Sequence, residues 1–265
     1  MDLLSLHRCW EEGRKAVNGW CGIPDPVTAE IMAKHDFDSL TIDMQHGLMD
    51  FQAALGMLQA MRASGTTPLV RVPWNEPGII MKTLDAGALG IICPMINTAE
   101  DAARLVSYTR YPPKGCRSSG PARASLVHGS SYHDESFSHI MAFAMVETRE
   151  AMAELEAIAA TPGLAGIYIG PSDLSISHGY APGFDRQEAE MDAAIGTILD
   201  ACKRNSIRAC IHCGSPEYLQ HSLNRGFDLA TLSTDFRLLD NAIASAVAAA
   251  RGNTEALQQD GSQTY

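Results

Sequence analysis

Eight short β-rich runs recur along the chain, and a helix-compatible stretch follows each of them. The runs are residues 18–23, 39–43, 69–72, 90–94, 142–147, 166–170, 208–212 and 229–233, with helical stretches such as 51–63, 149–160 and 188–205 between them. In residues 149–160, Met152, Leu155 and Ile158 set one apolar stripe at near-helical spacing. Ser215-Pro216 reads as an N-cap with proline at the first helical position, and Thr98 with Asp101 as a capping box. Eight strand–helix units in 265 residues predict one α/β domain, a closed (β/α)8 TIM barrel over residues 1–251 with a polar tail at 252–265. An open doubly wound sheet is the second reading, but it normally uses fewer units. The Gly-, Ser- and His-rich residues 115–139 read as a long connecting loop after the fourth unit.

Charge narrows the partners. With 20 Lys+Arg against 31 Asp+Glu the formal charge is −11, which disfavours nucleic acid and anionic membrane surfaces. A single arginine or a metal could still invert the field locally for an anionic substrate. The first fifteen residues mix acidic and basic side chains where a signal peptide needs an apolar run. The uncharged stretch 86–99 is too short to span a bilayer. Seven cysteines, an odd number, fit reduced thiols in a cytoplasmic protein. Cys210-Ile-His-Cys213 has metal-like spacing but no second ligand pair, so it reads as the end of a strand.

Barrel chemistry gathers at the carboxyl ends of the strands. The second strand ends in Asp43-Met44-Gln45-His46-Gly47, the third carries Arg71, the fifth ends in Glu147 and the sixth in Gly170-Pro171-Ser172-Asp173. Asp85 lies in the turn before the fourth strand. Two carboxylates from adjacent strands suit a hard divalent cation, which polarises a keto group and stabilises an enolate. An arginine fork suits an oxyanion, and a histidine moves protons near neutral pH. The pattern points to metal-assisted chemistry on a small oxo acid.

The segments Ile42-Asp43-Met44-Gln45-His46-Gly47, Val70-Arg71-Val72-Pro73-Trp74-Asn75, Tyr111-Pro112-Pro113-Lys114-Gly115-Cys116-Arg117, Val146-Glu147-Thr148-Arg149-Glu150-Ala151 and Tyr168-Ile169-Gly170-Pro171-Ser172-Asp173-Leu174-Ser175 resemble the class II pyruvate aldolases of the HpcH/HpaI family. The resemblance runs in order over most of the chain. It implies reversible, metal-dependent cleavage of 4-hydroxy-2-oxo acids to pyruvate, or hydroxypyruvate, and an aldehyde. It implies that Glu147 and Asp173 hold Mg2+ or Mn2+, with Co2+ a further candidate, and that Arg71 stands beside the keto oxygen. His46 falls on a histidine implicated in acid–base work and Asp85 on the acidic residue that orients it. Gly170, Pro171, Ser172 and Asp173 fall on the carboxylate-binding turn, where backbone N–H groups meet an anion at a helix N-terminus. Relatives are trimers or hexamers whose last helix packs on a neighbour's barrel, so a homo-oligomer, a homohexamer among the candidates, is expected.

Gln45 stands where better-known members carry Glu, and Met145 where they carry Gln, so donor choice is open at these two positions. Arg117 and Arg123 read equally as surface charges or as contacts between subunits. His128, His133 and His139 fit a loop better than a second metal site, and Met57 and Met61 read as packing residues. Other enzyme readings keep the same metal pair but act on oxaloacetate or an acyl-CoA thioester. A non-catalytic small-acid binder is the reading from another class.

Overall fold

The computed structural model describes residues 5–252. Eight parallel strands close in sequential order: β1 (Ala16–Cys21), β2 (Ser39–Asp43), β3 (Thr67–Arg71), β4 (Gly90–Cys93), β5 (Met141–Val146), β6 (Gly166–Ile169), β7 (Arg208–Cys213) and β8 (Leu229–Leu232), with β8 pairing back to β1. Each strand lies within two residues of its expected run. The open-sheet reading is thereby excluded. Of the expected tail, residues 253–265 lie outside the described residues.

The strands are short and buried on both faces, as parallel strands under a ring of helices must be. Outward side chains such as Ile42, Val70, Ile91, Ala144 and Ile211 pack beneath the helices. Inward ones such as Trp20, Leu69, Ile92, Phe143, Met145, Tyr168, Cys210 and Leu229 fill the barrel. The helix Ser5–Glu11 closes its amino end, burying Leu6 and Cys9 in that same inner cluster. Met57 and Met61 are buried in the outer core. Ser215 and Thr98 cap their helices as read, the latter with both halves of a capping box.

Two helical expectations need correction. Residues 115–139 hold the helices Ala122–His128 and Tyr132–His139, so His128, His133 and His139 are not loop residues. Tertiary contact outweighs weak local periodicity here, because Tyr132 is fully buried. The expected helix 149–160 is two pieces, Arg149–Ala153 and Leu155–Ala159, that break at Glu154. No helix among the described residues is long and apolar enough to cross a membrane.

Side chains two apart on a strand share a face. The inward parity therefore carries Trp20 on β1, Asp43 on β2, Arg71 on β3 and His212 on β7 towards the mouth. Glu147 and Gly170 continue the inward rows of β5 and β6 just past the strand ends. The alternation assembles the site.

Candidate active site

Asp43 and Arg71 face each other in the β2–β3 register. Arg71 Nε donates to Asp43 Oδ1 at 2.8 Å and Nη2 to Oδ2 at 2.5 Å, a buried two-point pair. Trp20 Nε1 adds a bond to Asp43 Oδ2 at 3.2 Å, and the guanidinium carbon lies 4.9 Å from the centre of the Trp20 ring. Burial alone would raise the Asp43 carboxyl, but the bonds and charge of Arg71 outweigh it and hold the group below its ordinary range. Arg71 is thus a fixed cation whose planar fork cannot swing.

Glu147 is only 2% exposed. Met95 N–H donates to its Oε1 at 2.8 Å from a left-handed backbone, φ 55°, at the end of β4. A Cβ on Gly170 would lie 2.2 Å from Glu147 Oε2, so glycine is required for the carboxylate to sit there. Burial pushes the Glu147 carboxyl up to about 7; the Met95 bond opposes this and the Asp173 charge adds to it. Asp173 is exposed in the first turn of the helix Pro171–Ser177.

Glu147, Asp173 and Arg71 line one cleft together with Trp20, Met145, Tyr168, Gly170, Pro171, Ser172, Phe184 and His212. Ser172 Oγ is buried without a partner. The backbone N–H groups of the first helical turn have no acceptor within their own helix, so they can meet an anion. No lysine lines this cleft among the described residues. Lys82 lies in the helix Pro77–Asp85, and Lys114 lies against Phe137.

Other expected residues are placed differently. His46 is exposed and does not line the cleft; its backbone N–H donates to Asp43 Oδ1 at 3.2 Å, which holds it at the rim. Gln45 also stays off the cleft wall, with its N–H on the same Oδ1 at 3.0 Å and its Oε1 buried without a partner. Asp85 is not brought to His46 within the chain. It closes the helix that returns from β3, at the end of the barrel where β4 begins, and Arg117 binds it at 2.7 Å. Arg117 is fully buried there beneath Tyr132, so it is neither a surface charge nor a contact between subunits. Arg123 bonds the backbone carbonyls of Ala86 and Leu58.

The sequence motifs missed Asp43, Trp20, Tyr168, Phe184 and His212 as contributors to the site. Asp43 stood inside a quoted motif, but its pairing with Arg71 depends on strand register. Cys210 and Cys213 are buried thiols flanking His212, in agreement with the strand-end reading. Among the described residues no group of three or more His, Cys, Asp or Glu converges on a metal position. A two-carboxylate pair nevertheless fits a hard divalent cation that keeps water and takes further oxygen ligands. Such a charge also suits a buried carboxylate that is hard to ionise alone.

A closed barrel with two carboxylates and a clamped arginine lining one cleft at its mouth can carry metal-assisted chemistry on a small oxo acid, and the family match makes the chain a carbon–carbon lyase of the aldolase type. The model of the HpcH/HpaI aldolase/citrate lyase family matches residues 19–242, and the chain belongs to that family. A hydroxypyruvate/pyruvate aldolase from Rhizorhabdus wittichii is 42% identical over 93% of this chain and 98% of its own length. A 4-hydroxy-2-oxo-heptane-1,7-dioate aldolase from Shigella flexneri is 33% identical over 96% of this chain and 95% of its own. The crystal structure of a HpcH/HpaI aldolase/citrate lyase family protein from Burkholderia cenocepacia superposes with a TM-score of 0.84 at 31% identity, covering 89% of this chain and 95% of that one.

Proposed function

We propose that the protein reversibly cleaves the C3–C4 bond of 4-hydroxy-2-oxo acids, releasing pyruvate or hydroxypyruvate and an aldehyde. The observation that carries this reading is Glu147: a buried carboxylate in one cleft with Asp173 and the clamped Arg71. Glu147 and Asp173 would hold Mg2+ or Mn2+. A divalent cation in that place supplies the Lewis acidity that polarises a keto group and stabilises the enolate left when the neighbouring bond breaks.

The chain's own groups do the rest. Arg71, fixed by Asp43 and Trp20, donates to the keto oxygen as negative charge grows there. Backbone N–H groups of Ser172 and Asp173 bind the substrate carboxylate at the start of the helix Pro171–Ser177. His46, at the rim and off the cleft wall, takes the proton of the 4-hydroxyl through an intervening water as the C3–C4 bond opens, and a proton returned by the same route to C3 of the enolate completes pyruvate. Since no lysine lines the cleft among the described residues, the geometry favours this route over a Schiff base. The wild-type protein is expected to release pyruvate from a 4-hydroxy-2-oxo acid in a coupled dehydrogenase assay; a small-acid binder would release none.

Met145 is buried against the cleft and has no hydrogen bond to offer the donor's third carbon. Tolerance of both pyruvate and hydroxypyruvate is expected, and Met145→Gln should shift the ratio of their kcat/KM values about tenfold or less. An unchanged ratio would remove Met145 from donor selection.

The helix Asp235–Ala250 supports a homo-oligomer. Of its residues only Asp235 is buried, while Phe236, Leu239, Ile243 and Val247 form an exposed apolar stripe. Such a stripe calls for a cover, and a second copy of the barrel fits the trimer or hexamer reading. Deleting residues 239–265 should reduce the assembly to monomers by light scattering; an oligomer of native subunit number would refute the helix exchange.

A further inference from the structure

His212 lies on β7 in the middle of Cys210-Ile-His-Cys213, and no step above uses it. The residue is buried, lines the cleft, and is packed by Phe184 on its face, 4.8 Å between ring centres, and by Trp20 at 5.0 Å. Nδ1 lies 3.3 Å from Tyr168 Oη. Nε2 is buried without any partner.

Counting protons in the barrel interior decides which nitrogen carries the hydrogen. Tyr168 Oη is 2.6 Å from Thr231 Oγ1, and either atom could donate. The other partner of Thr231 Oγ1 is Asn18 Nδ2, at 2.9 Å, which can only donate. Were Tyr168 to donate to Thr231, the Thr231 hydrogen would have no acceptor in a fully buried place. With Thr231 donating to Tyr168, and Tyr168 donating to His212 Nδ1, only one hydrogen is left without an acceptor, and it belongs to a residue that lines the cleft. The imidazole proton then sits on Nε2. Burial, with the charge of Arg71 acting the same way, lowers the His212 pKa to about 3, so the ring is neutral in any ordinary assay buffer.

From this geometry we infer that His212 Nε2–H is a preset neutral donor for an oxygen-bearing substituent of the substrate, a hydroxyl or carbonyl outside the 2-oxo acid unit, and that His212 is a specificity-determining residue. The inference rests on the aldolase reading. On the aldolase reading the 2-oxo acid unit is served by Arg71, the carboxylate pair and the turn at Ser172; a further, neutral donor lining the same cleft suits an uncharged oxygen. That oxygen belongs either to the donor, as the 3-hydroxyl of hydroxypyruvate, or to the aldehyde, as a 2-hydroxyl. A buried donor left unpaired by an oxygen-free analogue discriminates strongly against it.

Two kcat/KM ratios read this out: hydroxypyruvate over pyruvate with acetaldehyde as acceptor, and glycolaldehyde over acetaldehyde with pyruvate as donor. His212→Leu should lower one of them about tenfold, and His212→Gln, whose amide N–H reaches a similar position, should recover most of it. Whichever ratio falls identifies the oxygen. Tyr168→Phe, which removes the group that presets the ring, should lower the same ratio. Independently of turnover, two-bond 1H–15N NMR of the wild-type protein should show His212 protonated on Nε2 and bare on Nδ1. Ratios that stay unchanged in both His212→Leu and Tyr168→Phe, or a proton found on Nδ1, would overturn the inference. Failure of the wild type to catalyse aldol chemistry at all would instead overturn the aldolase reading, and the NMR result would still stand.

Discussion

Glu147→Gln and Asp173→Asn should each lower kcat by roughly 10²–10³-fold, the scale of losing one preorganised charge-stabilising group. Both changes are nearly isosteric, so secondary structure should be unaltered. They should separate in stability. The folded pKa of Glu147, about 7, lies above its ordinary 4.5. The unfolded chain releases this proton first, so metal-free protein is favoured below pH 4.5 and loses that contribution as the pH rises through about 7. Glu147→Gln should therefore be more stable than metal-free wild type at pH 8 in urea denaturation, by up to roughly 3 kcal/mol, while being nearly inactive. Added Mn2+ should reverse the order by stabilising only the wild type, and less so below pH 7, where the proton competes for the carboxylate. Asp173, exposed in its helical turn, should show the activity loss without the stability gain.

The Asp43–Arg71 pair carries the second large effect. Asp43→Ala would leave a buried guanidinium without its two-point partner and should cost roughly 3–5 kcal/mol in urea denaturation. Because the Asp43 pKa is depressed, that contribution is present above the ordinary 3.8 and is lost as the pH falls through the lowered value. Arg71→Lys keeps a charge but cannot bridge both carboxylate oxygens or present a planar donor pair. It should lower kcat by at least tenfold while Mn2+ affinity stays close to wild type by calorimetry. Equal losses of metal affinity and turnover would place Arg71 in the metal site instead.

The strands were legible because all but β5 are short β-rich runs closed by Gly, Pro, Asp or Ser, and a barrel needs eight strands. Residues at strand ends then had to gather at the mouth, which brought Arg71, Glu147 and Asp173 into view. Contacts set by register or by packing between distant elements were not legible. Asp43 meets Arg71 because β2 and β3 pair in one register, and nothing within either segment states it. Asp85 was read as the partner of a histidine, yet within one chain its helix runs back to the far end of the barrel, where buried Arg117 takes it. The helices Ala122–His128 and Tyr132–His139 lack a strong apolar period and are held by tertiary contacts such as the buried Tyr132. His212 carried only a misleading cysteine spacing; its orphaned nitrogen is a property of three strands at once.

Enolate formation is the step on which every assignment here depends, and it can be watched without any aldehyde. Wild-type protein in deuterated buffer should exchange the methyl protons of pyruvate for deuterium, followed by loss of the methyl signal in the 1H NMR spectrum. Chelation should stop the exchange, Mg2+ or Mn2+ should restore it, and Glu147→Gln should not respond to either ion. Exchange that persists at full rate after chelation, or that survives in Glu147→Gln, would contradict a metal-held enolate at this site.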